Sequence, residues 1–358
     1  MSGKISTIYV CSNCDAQFSK WSGRCLECGA WGSLKSEITD EKAKEEKKLK
    51  INPAALIDLS DIAEQDRGRI KTEISEVDRV LGGGIVPGSL MLLSGEPGIG
   101  KSTIVAQIAN AVGAKENPAF YASGEESAGQ VKERFERLRC GLEKIRFLSE
   151  INVEKIIASI NSCPHKPRLL IVDSIQTMYS SLIESEAGSI AQIRASAVKF
   201  LELAKQKNIA VILIGHVTKD GQLAGPKVLE HIVDTVIYLE TENLHNYRVL
   251  RTTKNRFGSV NEIGIFEMAE QGFIEIKNPS SIFLDTTEEN LSGSVISCIM
   301  EGTRPFLIEI QALVTKTVFG YPQRKASGFD LNRLQVLSAV ITKRTKANLT
   351  NQDIILNM

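Results

Sequence analysis

The sequence predicts an α/β protein with a mostly parallel central sheet, and three observations predict it. From about residue 51, short continuous apolar runs alternate with stretches of helical periodicity, the pattern of a sheet covered on both faces. One run, Leu90-Met91-Leu92-Leu93, leads into an amphipathic stretch (Ile104, Val105, Ile108, Ala109, Val112) with helical spacing. Between them, Gly95-Glu96-Pro97-Gly98-Ile99-Gly100-Lys101-Ser102-Thr103 fits the pattern G-x4-G-K-[ST], with the strand before it and the helix after it that a phosphate-binding loop requires.

The residue types in this loop point to a nucleoside triphosphate, expected to be ATP. Glycines let backbone N–H groups converge on phosphate oxygens, and the helix N-terminus adds about half a positive charge there. Lys101 is expected to reach the β/γ-phosphates, and the Ser102 hydroxyl to ligate Mg²⁺.

The 358 residues suggest two or three domains. With 42% hydrophobic and 24% charged residues the chain has enough apolar side chains for a sizeable core. Lys+Arg equals Asp+Glu at 43 each, so only local patches bear on charged partners. No apolar run approaches the roughly 18 residues of a membrane span, and the N-terminus lacks the apolar core of a secretory signal. A cytoplasmic protein with no membrane partner is expected.

Cys11-Ser-Asn-Cys14 and Cys25-Leu-Glu-Cys28 are two C-x2-C hooks ten residues apart. Each sets two thiolates on a tight turn, and together they predict a closed, structural four-cysteine site for Zn²⁺ in a reducing compartment. A unit this short cannot bury a core of its own, so the metal must supply most of its folding energy. Trp21 and Trp31, the only tryptophans, are read as its small core in preference to a surface for bases or a partner. Residues 1–34 form this zinc finger. Residues 35–50, dense in Lys and Glu/Asp, are expected to be a charged linker, either a flexible tether or a solvated helix.

Within the core, expected over 51–278, Leu81–Ser89 is a glycine-rich entry to the phosphate loop. Ala119–Ser123, Leu169–Asp173 and Ala210–Ile214 read as central parallel strands, and Ser189–Lys207 as the clearest helix. Asp173, ending its strand about 70 residues after the loop, fits a Walker B carboxylate for Mg²⁺. Ser174 is weighed equally as a hydrogen-bonding partner of the attacking water and as a helix cap. Glu125 and Glu126 follow another strand end, and Glu125 is favoured as the carboxylate that orients water. The competing reading makes both the acidic first turn of the next helix. His216, in Gly215-His-Val-Thr-Lys219, is a candidate sensor of the γ-phosphate, and Lys219–Lys227 is either a mobile substrate loop or a surface turn.

The order of the four-cysteine knuckle, Gly95–Thr103, Ser123-Gly-Glu-Glu-Ser127, Leu170-Ile-Val-Asp-Ser174, Gly215–Lys219 and Lys254-Asn255-Arg256-Phe257-Gly258 resembles the bacterial RadA (Sms) family, DNA-repair ATPases with a RecA-type core. The knuckle combined with Lys-Asn-Arg-Phe-Gly is the specific part; the phosphate loop alone would fit many families. The resemblance implies that Lys254 through Gly258 handle DNA and contribute to a neighbouring subunit's nucleotide site. It further implies a hexameric ring moving on single-stranded and branched DNA, driving branch migration beside a RecA-type recombinase filament. Read without the family, Lys-x-Arg at a strand end is a plausible cationic finger.

Beyond Ser281 the pattern changes. Ser294–Met300 and Phe306–Leu313 read as strands joined by a turn at Glu301–Pro305. Residues 316–346 hold seven Lys/Arg against one Asp, and Arg324, Lys325, Arg333, Lys343, Arg344 and Lys346 are candidates for neutralising DNA phosphates. Gly293, Glu301–Pro305, Gly328–Arg333 and Asp353–Asn357 are similar to the Lon-protease-like domain of that family, a DNA-binding and ring-forming scaffold. The chain ends at Met358, so residues 281–358 are expected to be an incomplete α+β domain with exposed apolar strand edges and no peptidase dyad. The leading functional expectation is an ATP-driven DNA motor of homologous recombination. The alternatives are a nucleotide-gated DNA-binding module with little turnover, a RecA-like autokinase and, weakest, a peptidase.

Overall fold

A computed structural model describes residues 6–13, 16–39, 58, 68–216, 226–241, 247–278, 292–318 and 320–358. The chain divides into two compact units, residues 1–62 and 63–358.

In the first unit, β1 (Ser6–Cys11) pairs antiparallel with β2 (Gln17–Phe18) and β3 (Leu34–Thr39). Strand β3 pairs with β1 from Cys11↔Leu34 through Ser6↔Thr39, so residues 35–39, expected in the charged linker, belong to the sheet. Backbone pairing along β1 outweighs the polar composition that suggested a tether there. Residues 40–50 lie outside the described residues. The tryptophans overturn their expected role: Trp21 is 62% and Trp31 78% exposed, flanking Gly23. Cys11, Cys25 and Leu34 form the small buried cluster instead. Tyr9, Ala16 and Phe18, partly buried, pack against that cluster, and the indoles stay outside it.

The second unit is built on a nine-stranded sheet of order β12-β11-β10-β9-β4-β8-β7-β5-β6. Strands β4 (Leu90–Gly95), β5 (Ala119–Ser123), β6 (Ile145–Leu148), β7 (Leu169–Asp173), β8 (Ala210–His216) and β9 (Thr235–Thr241) are mutually parallel. Strands β10 (Tyr247–Asn255), β11 (Ile263–Ala269) and β12 (Gly272–Glu275) extend it antiparallel. The three central strands expected from the apolar runs form as expected, with β8 continuing to His216.

Alternation along each strand splits the core between the two faces. Met91, Leu93, Tyr121, Ile171 and Ile212 pack with Ile104, Val105 and Ile108 of α2 (Lys101–Val112) and Phe135 of α3 (Ala128–Arg137). Leu90, Leu92, Phe120, Leu170 and Val211 pack with Ile156 and Ile160 of α4 (Val153–Ser162) and Phe200 of α5 (Ile190–Lys207). The expected helix 189–207 is α5, with Ser189 as its N-cap, the side chain accepting from Gln192 N. A short helix α1 (Ser75–Val80) precedes β4, and α6 (Pro226–Leu229) precedes β9.

Toward the C-terminus, β13 (Ser294–Glu301), β14 (Arg304–Lys316), β15 (Arg324–Ser327) and β16 (Gln352–Asn357) form a four-stranded sheet of order β13-β14-β16-β15. Helix α7 (Leu331–Arg344) crosses between the parallel pair β15 and β16. The β13–β14 turn docks on the core. Gly302 lies so close to Asn261 O that any Cβ would overlap it. Arg304 reaches the fully buried Glu76 (Nη1 to Oε2, 2.7 Å), which also accepts from Ile265 N. On this sheet Val295, Ile296, Met300 and Leu313 are each about 60% exposed.

Candidate functional site

The phosphate loop lies at the carboxyl edge of the sheet, between β4 and α2, where open parallel sheets bind ligands. Gly100 caps α2 with φ +110°, a left-handed conformation, and a Cβ there would sit 2.5 Å from Met268 Cε and 2.8 Å from Phe273 Cζ. Ile99 anchors the loop in the core, while Glu96, Pro97 and Gly98 carry its outer side, Glu96 and Pro97 exposed. Lys101 folds back over the loop, its Nζ donating to Gly95 O and Glu96 O, each at 2.9 Å. Burial lowers its pKa, opposed by the Asp173 and Glu125 carboxylates. Ser102 and Thr103 follow in the first turn of α2, both half-buried.

The other carboxyl ends bring the expected acids to the same edge. Asp173 ends β7, buried, with one oxygen (Oδ2) accepting from Tyr121 Oη at 2.5 Å. Arg134 of α3 donates to the same Tyr121 oxygen at 3.3 Å and pairs closely with Glu126. Burial, and next the charge of Asp173, push the Tyr121 hydroxyl well above its ordinary pKa, so it stays a donor. The peptide bond between Asp173 and Ser174 is cis.

The two glutamates diverge. Glu125 Oε1 accepts from Ser174 Oγ and lies 3.4 Å from His216 Nε2. These two contacts, His216 first, together with the Lys101 charge hold its carboxyl below the usual range against the opposing effect of burial. Its side chain is still 37% exposed. Glu126 instead turns to Arg134. Neither belongs to the first turn of the next helix: α3 starts at Ala128, and Ser127 caps it in a capping box with Gln130. Ser174 is no helix cap either: the next helix starts only at Ile190, and the Ser174 hydroxyl donates to Glu125.

Several polar atoms around this edge are buried without a partner among the described residues: Ser94 Oγ, Gln176 Oε1, His216 Nδ1 and Glu126 Oε2. Such atoms call for a bound ligand or ordered water. Ser102, together with the Asp173 oxygen that Tyr121 leaves available, supplies hard oxygen donors of the kind Mg²⁺ takes. Sequence reasoning missed Tyr121 and Arg134. A tyrosine inside a central apolar strand was the one available signal, since a buried phenol needs a partner.

The Lys254–Gly258 stretch lies elsewhere. Asn255 pairs with Thr235, the first residue of β9, so the motif sits at the amino edge of the parallel strands. A bulge between Thr252 and Lys254 re-aims Lys254, whose Nζ donates to the carbonyls of Glu230 and Val233. Burial, and next Arg256 beside it, lower its pKa. Arg256 Nη1 lies 3.3 Å from Asp234 Oδ1 and is 57% exposed. Asp234, 2% exposed, also accepts from Leu90 N (3.0 Å) and Lys205 Nζ (2.9 Å). Phe257 N donates to Asn255 Oδ1, and Phe257 O accepts from Arg69. Gly258 packs against Gly82. Leu90 and Gly95 are the two ends of β4, about 17 Å apart at strand rise. Arg256 therefore cannot reach the phosphate loop of its own chain.

Of the candidate DNA contacts near the C-terminus, Lys325 is exposed, but both Nη atoms of Arg324 are taken by Gln352 O and Leu349 O. Residues 217–225, with most of the Lys219–Lys227 loop, lie outside the described residues.

In the first unit the thiols of Cys11, Cys25 and Cys28 lie within 4.8 Å of one another, Cys11 and Cys28 at 3.7 Å. A tetrahedral ion with bonds of about 2.3 Å sets its sulfurs about 3.8 Å apart, so the cluster fits zinc. Cys14, the fourth expected ligand, lies outside the described residues.

The family description "AAA domain" matches residues 57–222, and "Rubredoxin metal binding domain" matches residues 9–36. Among solved structures, a RadB recombinase is 22% identical, with TM-score 0.46, over 58% of this chain and 100% of its own. A KaiC-like protein from Pyrococcus horikoshii OT3 is 24% identical, with TM-score 0.49, over 59% and 99%. The DNA repair protein RadA of Halalkalibacterium halodurans is 45% identical over 99% of this chain and 78% of its own length. That of Bacillus subtilis is 43% identical over the same shares. With the zinc-ribbon cysteines, the phosphate loop and the parallel core in place, and this identity running along nearly its whole length, the chain belongs to the RadA family.

Proposed function

We propose that this chain is a Mg²⁺-dependent, DNA-stimulated ATPase of homologous recombination and DNA repair. In this reading it moves on single-stranded DNA as a homo-hexameric ring in the cytoplasm. It promotes branch migration of strand-exchange intermediates beside a RecA-type filament. One observation carries the hydrolytic part. Glu125 is ionised, partly exposed and oriented by His216 and Ser174 at the edge that holds the phosphate loop. A protein that only binds nucleotide does not need a carboxylate held in that way.

The roles follow from the contacts. The loop from Gly95 to Thr103 binds the phosphates. Lys101 exchanges the Gly95 and Glu96 carbonyls for phosphate oxygens. Glu125 orients the attacking water and accepts its proton, while His216 links that carboxylate to the strand β8 end and so reports on the γ-phosphate. Ser102 and Asp173 would hold Mg²⁺, which supplies charge neutralisation at the β/γ oxygens. Glu126 supports the site through Arg134 and Tyr121.

Lys254 and Arg256, being out of reach of their own phosphate loop, serve a neighbour's nucleotide, which is the reason to infer a ring. Asn255, Phe257 and Gly258 fix the shape of that finger. The β13–β16 sheet acts as a Lon-protease-like DNA scaffold, with Lys325 facing the strand and Arg324 holding the loop before β16. The ribbon closes on Zn²⁺ through Cys11, Cys14, Cys25 and Cys28. Phosphate release measured with and without single-stranded DNA tests the reading. Lys101→Ala should abolish it, and DNA-stimulated release unchanged in that variant refutes the site.

A further inference from the structure

Opposite the phosphate loop, at the amino edge of the sheet, the molecule carries a second concave surface that ATP chemistry does not use. It is a cleft of about 690 Å³. Five cations line it, Arg69, Lys71, Lys166, Arg168 and Lys207, against one carboxylate, Glu73. They arrive on three separate stretches. Residues 68–73 are fixed by the Ile70↔Ile85 bridge, residues 166–168 lead into β7, and Lys207 ends α5.

Helix ends account for part of this charge. The C-termini of α2 and α5 line the cleft, and each carries about half a negative charge. Together with Glu73 they offset two of the five positive charges, leaving an excess of about three. Among the described residues, Lys71, Lys166, Arg168 and Lys207 have no ion-pair partner. Crowding like charges in a concavity destabilises the fold and focuses the field outward, the arrangement that captures a polyanion. Arg69 ties the frame down, donating to Leu81 O (2.9 Å) and Gly84 O (3.3 Å) on one side and to Phe257 O (2.5 Å) on the other. The cleft is thereby joined to the Lys254–Gly258 motif. No aromatic side chain among the described residues lines it, so it offers phosphates a counter-charge and offers bases nothing to stack on.

We propose that this cleft binds the phosphodiester backbone of a nucleic acid, as a sequence-independent contact separate from the nucleotide site. The proposal rests on the DNA reading above. It is tested with the full chain carrying Lys71→Ala, Lys166→Ala and Arg168→Ala, three side chains outside the ATP site. Turnover without DNA should be unchanged. Affinity for a single-stranded oligonucleotide and for a blunt duplex is measured across salt, with polyglutamate as a non-nucleic polyanion. About a tenfold loss near 0.15 M salt is expected. The slope of log K against log salt should flatten by about 2 for the single strand, at roughly 0.7 per lost phosphate contact. A loss confined to one of the two nucleic acids supports the proposal and identifies the strand form that occupies the cleft. Unchanged affinity and slope in the variant, or a loss seen only with polyglutamate, overturns the proposal. A wild-type chain that binds neither nucleic acid overturns the DNA reading itself.

Discussion

Tyr121→Phe removes a single hydroxyl, and with it two hydrogen bonds, at the carboxyl edge of the sheet. The ring would stay where it is, edge-on to Phe135 at 5.9 Å between centroids and stacked on Phe147 at 6.4 Å, so packing is conserved. What goes is the donor to Asp173 Oδ2 at 2.5 Å, together with the acceptor of Arg134 Nη1. Asp173 is 3% exposed, so water does not easily take the place of the lost hydroxyl. A hydrogen bond to a charged buried group contributes about 1.5–3 kcal/mol, and about 2 kcal/mol of stability should be lost. Because Tyr121 orients the carboxylate assigned to Mg²⁺, the functional cost falls on the metal. The Mg²⁺ concentration for half-maximal ATP turnover should rise between about 10- and 100-fold, with turnover recovering at saturating Mg²⁺. Urea unfolding and Mg²⁺ titration of phosphate release read the two effects separately. A variant that loses stability but keeps the wild-type Mg²⁺ dependence refutes Tyr121 as a positioning residue for Asp173.

Three further outcomes are expected. Glu125→Gln should bind an ATP analogue as the wild type does while phosphate release falls at least about 100-fold; normal release would return the role to another group. Arg256→Ala, inactive alone, should regain turnover when mixed with the Lys101→Ala chain, since each supplies what the other lacks across an interface; absence of recovery argues against action on a neighbour. Glu154 accepts from Ser180 Oγ, Ser181 N and Lys199 Nζ, contacts that bring its pKa down to about 2 despite the opposing effect of burial. A carboxylate depressed on folding stabilises above its unfolded pKa and loses that contribution as pH falls toward the folded value. Glu154→Gln should thus cost about 1 kcal/mol at pH 7, and the difference should shrink between about pH 4.5 and 2. Urea midpoints that differ equally at pH 7 and pH 3 contradict this.

Much of the fold was legible because continuous apolar strands and the phosphate loop are dictated locally. Leu90–Gly95, Leu169–Asp173 and Ser189–Lys207 appear where periodicity and capping place them. Convergence of Lys101, Glu125, Asp173 and His216 was legible too, because parallel strands deliver their carboxyl ends to one edge. What escaped prediction depends on contacts between distant segments. Glu125 and Glu126 are adjacent and chemically identical, yet only the side chain nearer His216 and Ser174 faces the site, while Arg134 takes the other. Asp234 carries no sequence signal beyond preceding a strand. Trp21 and Trp31 misled because apolar character was read as burial, in a unit whose buried cluster is two cysteines and a leucine.

The Asp234 carboxylate gives β4 two working ends. Its oxygens hold the first N–H of the strand, a lysine of α5 and the arginine of the finger, while the far end of the same strand opens into the phosphate cradle. Drawing Arg256 away toward a neighbour would leave a 2%-exposed carboxylate with Lys205 and one amide as partners, at an electrostatic cost that pulls the arginine back. Whatever engages Arg256 would therefore act on the carboxylate that holds the foot of β4, the strand whose other end forms the phosphate loop.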